Sequence, residues 1–188
     1  VVSGGAINQA AAESATVVGG SSNRAAAPAS IVTGGLFGSA TFYGQQAHAA
    51  GAFNALPGSA QASDYVLRAL TSDDIATELF LDGSLESIAF AAGRVAAFDV
   101  QLVGQDERTN VAVTGYYSFR CLYGRNATQG AFIRPALCNK TVVHEDEPLW
   151  DANVSIGTNN QFAINVNGVA GQNVRWVATI RATEVANN

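Results

Sequence analysis

Few side chains in this sequence have a type and spacing that could do chemistry. His48 and His144 are the only histidines, and neither is arranged with a nucleophile and an orienting carboxylate. His48 stands among alanines, which favours a structural role, although a ring of three copies could hold an ion. The run 144–147, His-Glu-Asp-Glu, could bind a hard cation, but such a run before a proline more often forms a solvated loop.

The sequence lacks the short motifs that mark common catalytic sites. It contains no G-x-S-x-G elbow, no P-loop, no G-x-G-x-x-G fingerprint before a helix and no H-E-x-x-H motif. Glycosidases need only two carboxylates that meet in the fold, an arrangement that leaves no sequence signature. Because none of these motifs is present, we predict a protein with no enzymatic activity, no catalytic residue, no cofactor and no metal site. The sequence identifies no receptor-binding residue.

Two cysteines and four aromatic residues are further candidates. Cys121 and Cys138 flank a predicted hairpin around 126–129, but their spacing about that turn is only roughly symmetric. This favours two separate buried thiols over a cross-strand disulfide. Four aromatic side chains could stack against sugar rings, although aromatic residues on strands more often belong to the core: they are Tyr116, Tyr117, Tyr123 and Trp150.

The positions of the charged residues divide the chain. Only Glu13 and Arg24 are charged among the first 63 residues, so 23 of the 25 charged residues lie in the remaining 125. The net charge of −5 offers no basic surface for nucleic acid, and no stretch is apolar enough for a transmembrane helix. We therefore predict a boundary after residue 63, no nucleic-acid partner and no membrane insertion. The start at Val1, without a methionine or a secretory signal, is typical of a fragment or of the ordered part of a longer protein.

Three N-terminal segments align without a gap at a period of fifteen residues, namely 2–10, 17–25 and 32–40. The period predicts stacked short strands, a β-helix or β-roll coil over 1–63, in preference to a helix or a flexible tail. The Gly pairs, together with Asn8 and Asn23, are expected at the corners, because both residue types tolerate positive φ. A less regular fourth unit is predicted to end the coil.

Such a coil is too thin to be stable alone. Its cross-section holds only a few small side chains, whereas ordering the chain costs about 1–2 kcal/mol per residue. Identical chains packed around a symmetry axis would supply the missing burial and would explain the nearly uncharged surface. We therefore predict an obligate homo-oligomer, a homotrimer in which the coil forms a stalk.

From residue 64 the pattern changes to alternation at period two, which is typical of half-buried strands. In the last run, Val174, Trp176 and Ile180 share one face, and Arg175 and Thr179 share the other. Short strands without helical gaps predict an antiparallel β-sandwich, jelly-roll-like, over 64–188. The predicted strands are 65–70, 77–81, 86–90, 95–104, 109–123, 130–137, 139–144, 151–157, 161–167 and 173–185.

The sequence resembles a known family over most of its length. The repeats around 17–23 and 31–35 resemble the YadA-like head repeats of trimeric adhesins. Two later stretches, 43–53 and 60–68, are similar to a region common in bacteriophage tail-fibre and related virion proteins. Four more resemble the C-terminal β domain of such fibres: 77–83, 150–154, 164–171 and 174–178.

The resemblance implies a trimeric, non-enzymatic fibre on the surface of a phage virion. Its partners would be its own copies, other virion proteins and a glycan or protein of the host surface, contacted by the C-terminal domain. The hairpin 120–138, with Arg125 and Arg134, fits the family only loosely. The alternatives are a carbohydrate-binding or depolymerising tailspike tip, and a purely architectural capsid decoration.

Overall fold

The fold is taken from a computed structural model that describes residues 1–108, 113–126, 130–133 and 138–187. These residues form β-strands and one short 3-10 helix, Phe53–Ala55, so the predicted all-β class is confirmed. No helix in this part of the chain is long and apolar enough to span a membrane. The strands are β1 Gln9–Ala10, β2 Thr16–Val17, β3 Arg24–Ala25, β4 Ile31–Leu36, β5 Ser39–Ala40, β6 Gln46–Ala50, β7 Ala60–Thr71, β8 Thr77–Glu78, β9 Arg94–Asp106, β10 Thr114–Asn126, β11 Gly130–Ile133, β12 Asn139–Glu145, β13 Asp151–Ile156, β14 Phe162–Asn167 and β15 Val174–Ala186.

The N-terminal coil, residues 1–50, stacks parallel strands at an offset of fifteen residues. One ladder, β1–β3–β5, pairs Ala10 with Ala25 and Ala25 with Ala40. A second ladder, β2–β4–β6, keeps the same offset where Val32 pairs with both Val17 and Ala47. Between the ladders lies a thin core of small side chains: Ala15, Val17, Ala25, Val32, Ala40 and Ala47.

Asparagine side chains connect neighbouring turns of the coil. The buried Asn23 donates from Nδ2 to the carbonyl oxygens of Gly19 and Gly35, both at 2.9 Å, and its Oδ1 accepts the Gly38 N–H at 2.7 Å. Asn8 makes the equivalent bonds one turn earlier. Each amide therefore satisfies backbone groups of two turns at once, which fixes their register.

The corners of the coil are formed differently from the prediction. Positive φ recurs one residue before the asparagine position, at Ile7, Ser22 and Phe37, and not at the asparagines themselves. The second glycine of each pair does adopt it, at Gly5, Gly20 and Gly35, and a Cβ on Gly20 would lie 2.1 Å from the Gly35 carbonyl oxygen of the next turn. The prediction for Asn8 and Asn23 was wrong because these turns use the asparagine side chain as a hydrogen-bonding group, not its backbone tolerance.

One nine-stranded sheet continues from the coil into the C-terminal part. Its strands follow the order β11–β10–β9–β15–β7–β6–β4–β2, and β12 also pairs with β10. A smaller sheet has the order β13–β14–β8. Buried side chains of both sheets form one core, as expected for a β-sandwich. The predicted boundary after residue 63 falls inside β7, and the division into two domains stays a prediction.

Aromatic side chains dominate this core, and the predicted alternation of β9, β14 and β15 is confirmed there. Phe98 of the large sheet meets Phe162 of the small sheet edge-on at 4.7 Å between ring centroids. Trp176 lies 5.2 Å from Trp150 and covers Gly104 of the neighbouring strand, where a Cβ would lie 2.4 Å from the indole ring. Gly104 is therefore needed for the tryptophan to lie flat on the sheet.

Some predicted features lie wholly or partly outside the described residues. They include the ends of the predicted strands 109–123 and 130–137, the predicted turn at 126–129, and Arg134.

A buried polar network joins the coil to the C-terminal sheets. The Glu184 carboxylate accepts hydrogen bonds from the Tyr65 hydroxyl at 2.7 Å, from Arg94 at 2.5 Å and from the Gln61 amide at 3.2 Å. Gln61 also pairs with the backbone N–H and C=O of Ser39 in the coil, both at 3.0 Å. Burial, and then the adjacent Glu184 carboxylate, raise the pKa of Tyr65 well above its usual value.

The first prediction concerns the asparagine ladder. Asn23→Asp replaces a donor amide by a carboxylate that faces the carbonyl oxygens of Gly19 and Gly35, so we expect a loss of roughly 2–4 kcal/mol in unfolding free energy. Asn8→Asp is the matched control, because the same bonds lie closer to solvent there and a smaller loss is expected. Chemical denaturation followed by circular dichroism measures both, and equal losses would contradict the proposed role of the buried ladder.

The second prediction concerns the junction. Because the pKa of Tyr65 is raised in the folded state, its stabilising effect is complete below the unfolded value of about 10 and is lost as the pH rises further. Tyr65→Phe should destabilise the protein by about 1–2 kcal/mol at neutral pH. Denaturation curves of the two proteins should converge above a pH of about 10. A difference that does not change with pH would show that Tyr65 is not held neutral by this network.

Candidate functional site

The smaller sheet presents a polar surface on its side away from the core, and we call this surface the amide face. The pairing of β13, β14 and β8 sets Asn153, Asn165 and Glu78 in one row across the three strands. Asp151 and Ser155 flank the row on β13, on the same side of the sheet as Asn153. The amide face is therefore defined as Glu78, Asp151, Asn153, Ser155 and Asn165.

Hydrogen bonds hold the amide face in one arrangement. Asn165 donates to the Ser155 hydroxyl at 3.0 Å, and Asn153 donates to the Asp151 carboxylate at 3.0 Å. Lys140, from β12, forms an ion pair with the other oxygen of Asp151. Amide, hydroxyl and carboxylate groups fixed in this way can recognise a ligand that carries many hydroxyl groups.

The two carboxylates of the amide face differ in proton affinity. Burial raises the pKa of Glu78, and a hydrogen bond from Gln161 opposes that effect only in part. Burial also acts to raise the pKa of Asp151, but the bonds from Lys140, from the Ala152 N–H and from Asn153 outweigh it, and the pKa is lowered. Carboxyl groups whose pKa values are pushed apart are suited to acid and base roles.

A groove runs beside the amide face, between the edge of β13 and the large sheet. Its volume is about 410 Å³. Its apolar lining consists of Phe119, Cys138, Val154 and Ile156. Its polar lining residues are Lys140, Asn153 and Ser155. The groove and the amide face thus share Asn153 and Ser155, and together they form the candidate site.

The cysteine prediction was wrong, because Cys121 and Cys138 are joined by a disulfide beside this groove. The antiparallel register of β10 and β12 pairs Arg120 with Asn139, which sets the next residues, Cys121 and Cys138, opposite each other. The pairing is fixed by β12 and not by the turn near residue 126, so symmetry about that turn was a misleading guide.

Most of the predicted aromatic platforms are not available to a ligand. Tyr117, Tyr123 and Trp150 are buried in the core. Tyr116 lies on the far side of the large sheet, where its hydroxyl bonds to Gln101. These aromatic residues therefore stabilise the fold and form no stacking surface at the candidate site.

Carboxylates of the charged run 144–147 form hydrogen bonds and an ion pair with other groups of the protein. Asp146 accepts the Thr114 N–H at 2.9 Å and pairs with His144 at 3.0 Å, and these contacts lower its pKa. Glu145 accepts the hydroxyl of Tyr117 at 2.5 Å. No three potential metal ligands lie together in the described ranges, and His48 is exposed on the sheet surface.

Sequence reasoning did not single out Glu78, Asp151 or Asn165. Polar residues at alternate positions of β13 and β14 could have predicted this surface, because such alternation indicates one hydrophilic face of a sheet. The alignment of Glu78 with that face depends on long-range strand pairing, which the local pattern does not contain.

Comparison with known proteins finds distant similarities. No family model matches the chain, and no curated protein matches it. Three solved tailspike structures are similar to it: that of Acinetobacter baumannii bacteriophage Fri1, a capsular polysaccharide depolymerase (9% identity, TM-score 0.38), that of A. baumannii phage AM24 (12%, 0.32) and that of Acinetobacter phage vB_ApiP_P1 (8%, 0.29). The matches cover 92%, 93% and 97% of this chain but only 37%, 34% and 38% of those chains. Similarity at this level assigns neither a fold nor a site.

One of these descriptions bears on an expectation from the sequence. A protein with no enzymatic activity was predicted, and that prediction is contradicted because the Fri1 tailspike is described as a depolymerase. The prediction of a non-enzyme is therefore withdrawn.

Proposed function

We propose that this chain is a subunit of a homotrimeric bacteriophage tail spike or fibre, located on the virion, that contributes to attachment to the host surface. Residues 1–63 form the stalk, and the C-terminal β-sandwich is the part that contacts the host. The observation that carries the proposal is the fifteen-residue register of the coil, whose core holds only small side chains. A coil with so little internal burial needs identical neighbours.

Exposed apolar side chains of the coil support this assembly. Val18 is 51% exposed, Ile31 36% and Leu36 38%, on a surface whose only charged residues are Glu13 and Arg24. The resemblance of the sequence to phage fibre proteins supports the assignment to a virion. The other virion proteins would be partners at the ends of the fibre.

The third prediction concerns the assembly. Size-exclusion chromatography with light scattering should give a mass three times the chain mass of 19.4 kDa, and the mass should persist on dilution. A stable species of 19.4 kDa would contradict the proposal, because the coil would then be stable without neighbours.

A second candidate function is a carbohydrate-binding or depolymerising tip, and the amide face favours it. Its fixed amide and hydroxyl groups suit a polysaccharide, and its two carboxylates have pKa values shifted in opposite directions. In this candidate, Glu78 would be the general acid that protonates the leaving oxygen.

The fourth prediction tests this candidate. Asn165→Ala should weaken binding to a recognised glycan by about tenfold, the effect of losing one or two hydrogen bonds. If the tip cleaves its ligand, Glu78→Gln should lower the release of reducing ends by at least about a hundredfold. Glu86→Gln, on an exposed loop, is the control and should change neither measurement. Unchanged binding and cleavage in both variants would remove the amide face from the proposal.

A further inference from the structure

The large sheet has one side against the core and one side, called here the outer face, that is open to solvent in a single chain. Exposed residues alternate with buried ones along β15 and over most of β7 and β9. Several outer residues are large and apolar: Val66 is 56% exposed, Val103 49% and Val177 45%. In the strand pairing, Val177 lies between Val103 and Arg68, and Thr179 lies between Val66 and Gln101. An exposed apolar patch of this kind indicates an interaction surface.

A row of charges crosses the outer face beside this patch. Register places Asp64, Arg181, Asp99 and Arg120 side by side on β7, β15, β9 and β10, so that the sign alternates at each strand. Arg181 lies 3.5 Å from Asp64, and Arg120 lies 3.1 Å from Asp99. All four side chains are more than half exposed, so these pairs contribute little within one chain. They remain able to pair again with groups of a neighbouring molecule.

The same row continues onto the coil. Asp64 pairs with Gln46 of β6, and Gln46 pairs with Ile31 of β4, and both of these residues are exposed. Paired residues on adjacent strands point to the same side of a sheet. The outer face is therefore one continuous surface that passes from the nearly uncharged coil to the alternating charges of the C-terminal sheet.

We infer that the outer face, from Ile31 of β4 to Arg120 of β10, is the surface through which identical chains pack around the axis of the oligomer. This inference rests on the proposed function and extends the contact from the coil to the C-terminal sheet. A second copy of the chain suits this surface, because a row of alternating charges that sum to zero does not attract a partner that carries charges of one sign only. When a second copy is displaced by the width of one strand, each charge of its row faces a charge of opposite sign.

This arrangement has a functional consequence. The outer face and the amide face belong to opposite sides of the sandwich, since each lies on the side of its sheet away from the shared core. Packing of copies through the outer face leaves the amide face and its groove exposed on the outside of the assembly. Recognition of a ligand and assembly therefore use separate surfaces.

The fifth prediction tests this interface. Val177→Asp places a charge in the centre of the apolar patch, at a side chain already 45% exposed in the single chain, so the chain should fold. We expect the Val177→Asp oligomer to dissociate at a protein concentration at least about tenfold higher than the concentration at which the wild-type oligomer dissociates. Ser155→Asp, on the amide face, should assemble like the wild type. Light scattering measures assembly, and circular dichroism checks folding.

The existence of the oligomer and the position of its interface are tested separately. A monomeric wild type would overturn the proposed oligomer itself. An oligomeric wild type with an equally stable Val177→Asp oligomer would overturn the interface alone. If Val177→Asp does not fold, carboxyl labelling of the wild-type oligomer decides: Asp64 and Asp99 should be protected and Glu86 labelled. Equal labelling of the three would contradict the inference.

Discussion

The pairing of β7 with a strand on each side is the constraint on which the rest of this structure depends. β6 of the coil pairs with one edge of β7, and β15 pairs with the other along its whole length. A coil with a core of alanine and valine is thereby attached to a sheet that has a large aromatic core. The orientation of the coil's exposed surface is set by the same hydrogen bonds, because register determines which side of a sheet each residue faces.

The buried network around Glu184 fixes this junction further. A carboxylate removed from solvent is tolerated only when its hydrogen bonds are satisfied, and here Tyr65, Arg94 and Gln61 supply the donors. Because Gln61 also bonds to the backbone of Ser39, a polar core residue of the C-terminal sheet is tied to the coil. Gln45, next to β6, donates to the hydroxyls of Ser63 at 2.8 Å and Tyr65 at 3.2 Å on β7, so the network also disfavours other registers between β6 and β7.

The sequence predicted much of this fold, because the signals concerned are local. The fifteen-residue period and the alternation of Val174, Trp176 and Ile180 with polar residues depend only on positions along the chain. Features set by distant pairing were missed or wrong. The Cys121–Cys138 disulfide follows from the β10–β12 register, and the position of Glu78 beside Asn165 follows from the β8–β14 pairing. The alternating charges of the outer face likewise depend on the pairing of β15 with β7 and with β9, strands that are far apart in sequence.

The central claim is that identical chains meet on the outer face while the amide face stays exposed. The direct measurement is cross-linking of single-cysteine variants with a short bifunctional maleimide, since Cys121 and Cys138 are already joined. Thr179→Cys on the outer face should give chain-to-chain cross-links at concentrations where Asn153→Cys on the amide face gives none. Equal cross-linking at the two positions, or cross-links only through Asn153→Cys, would contradict the account.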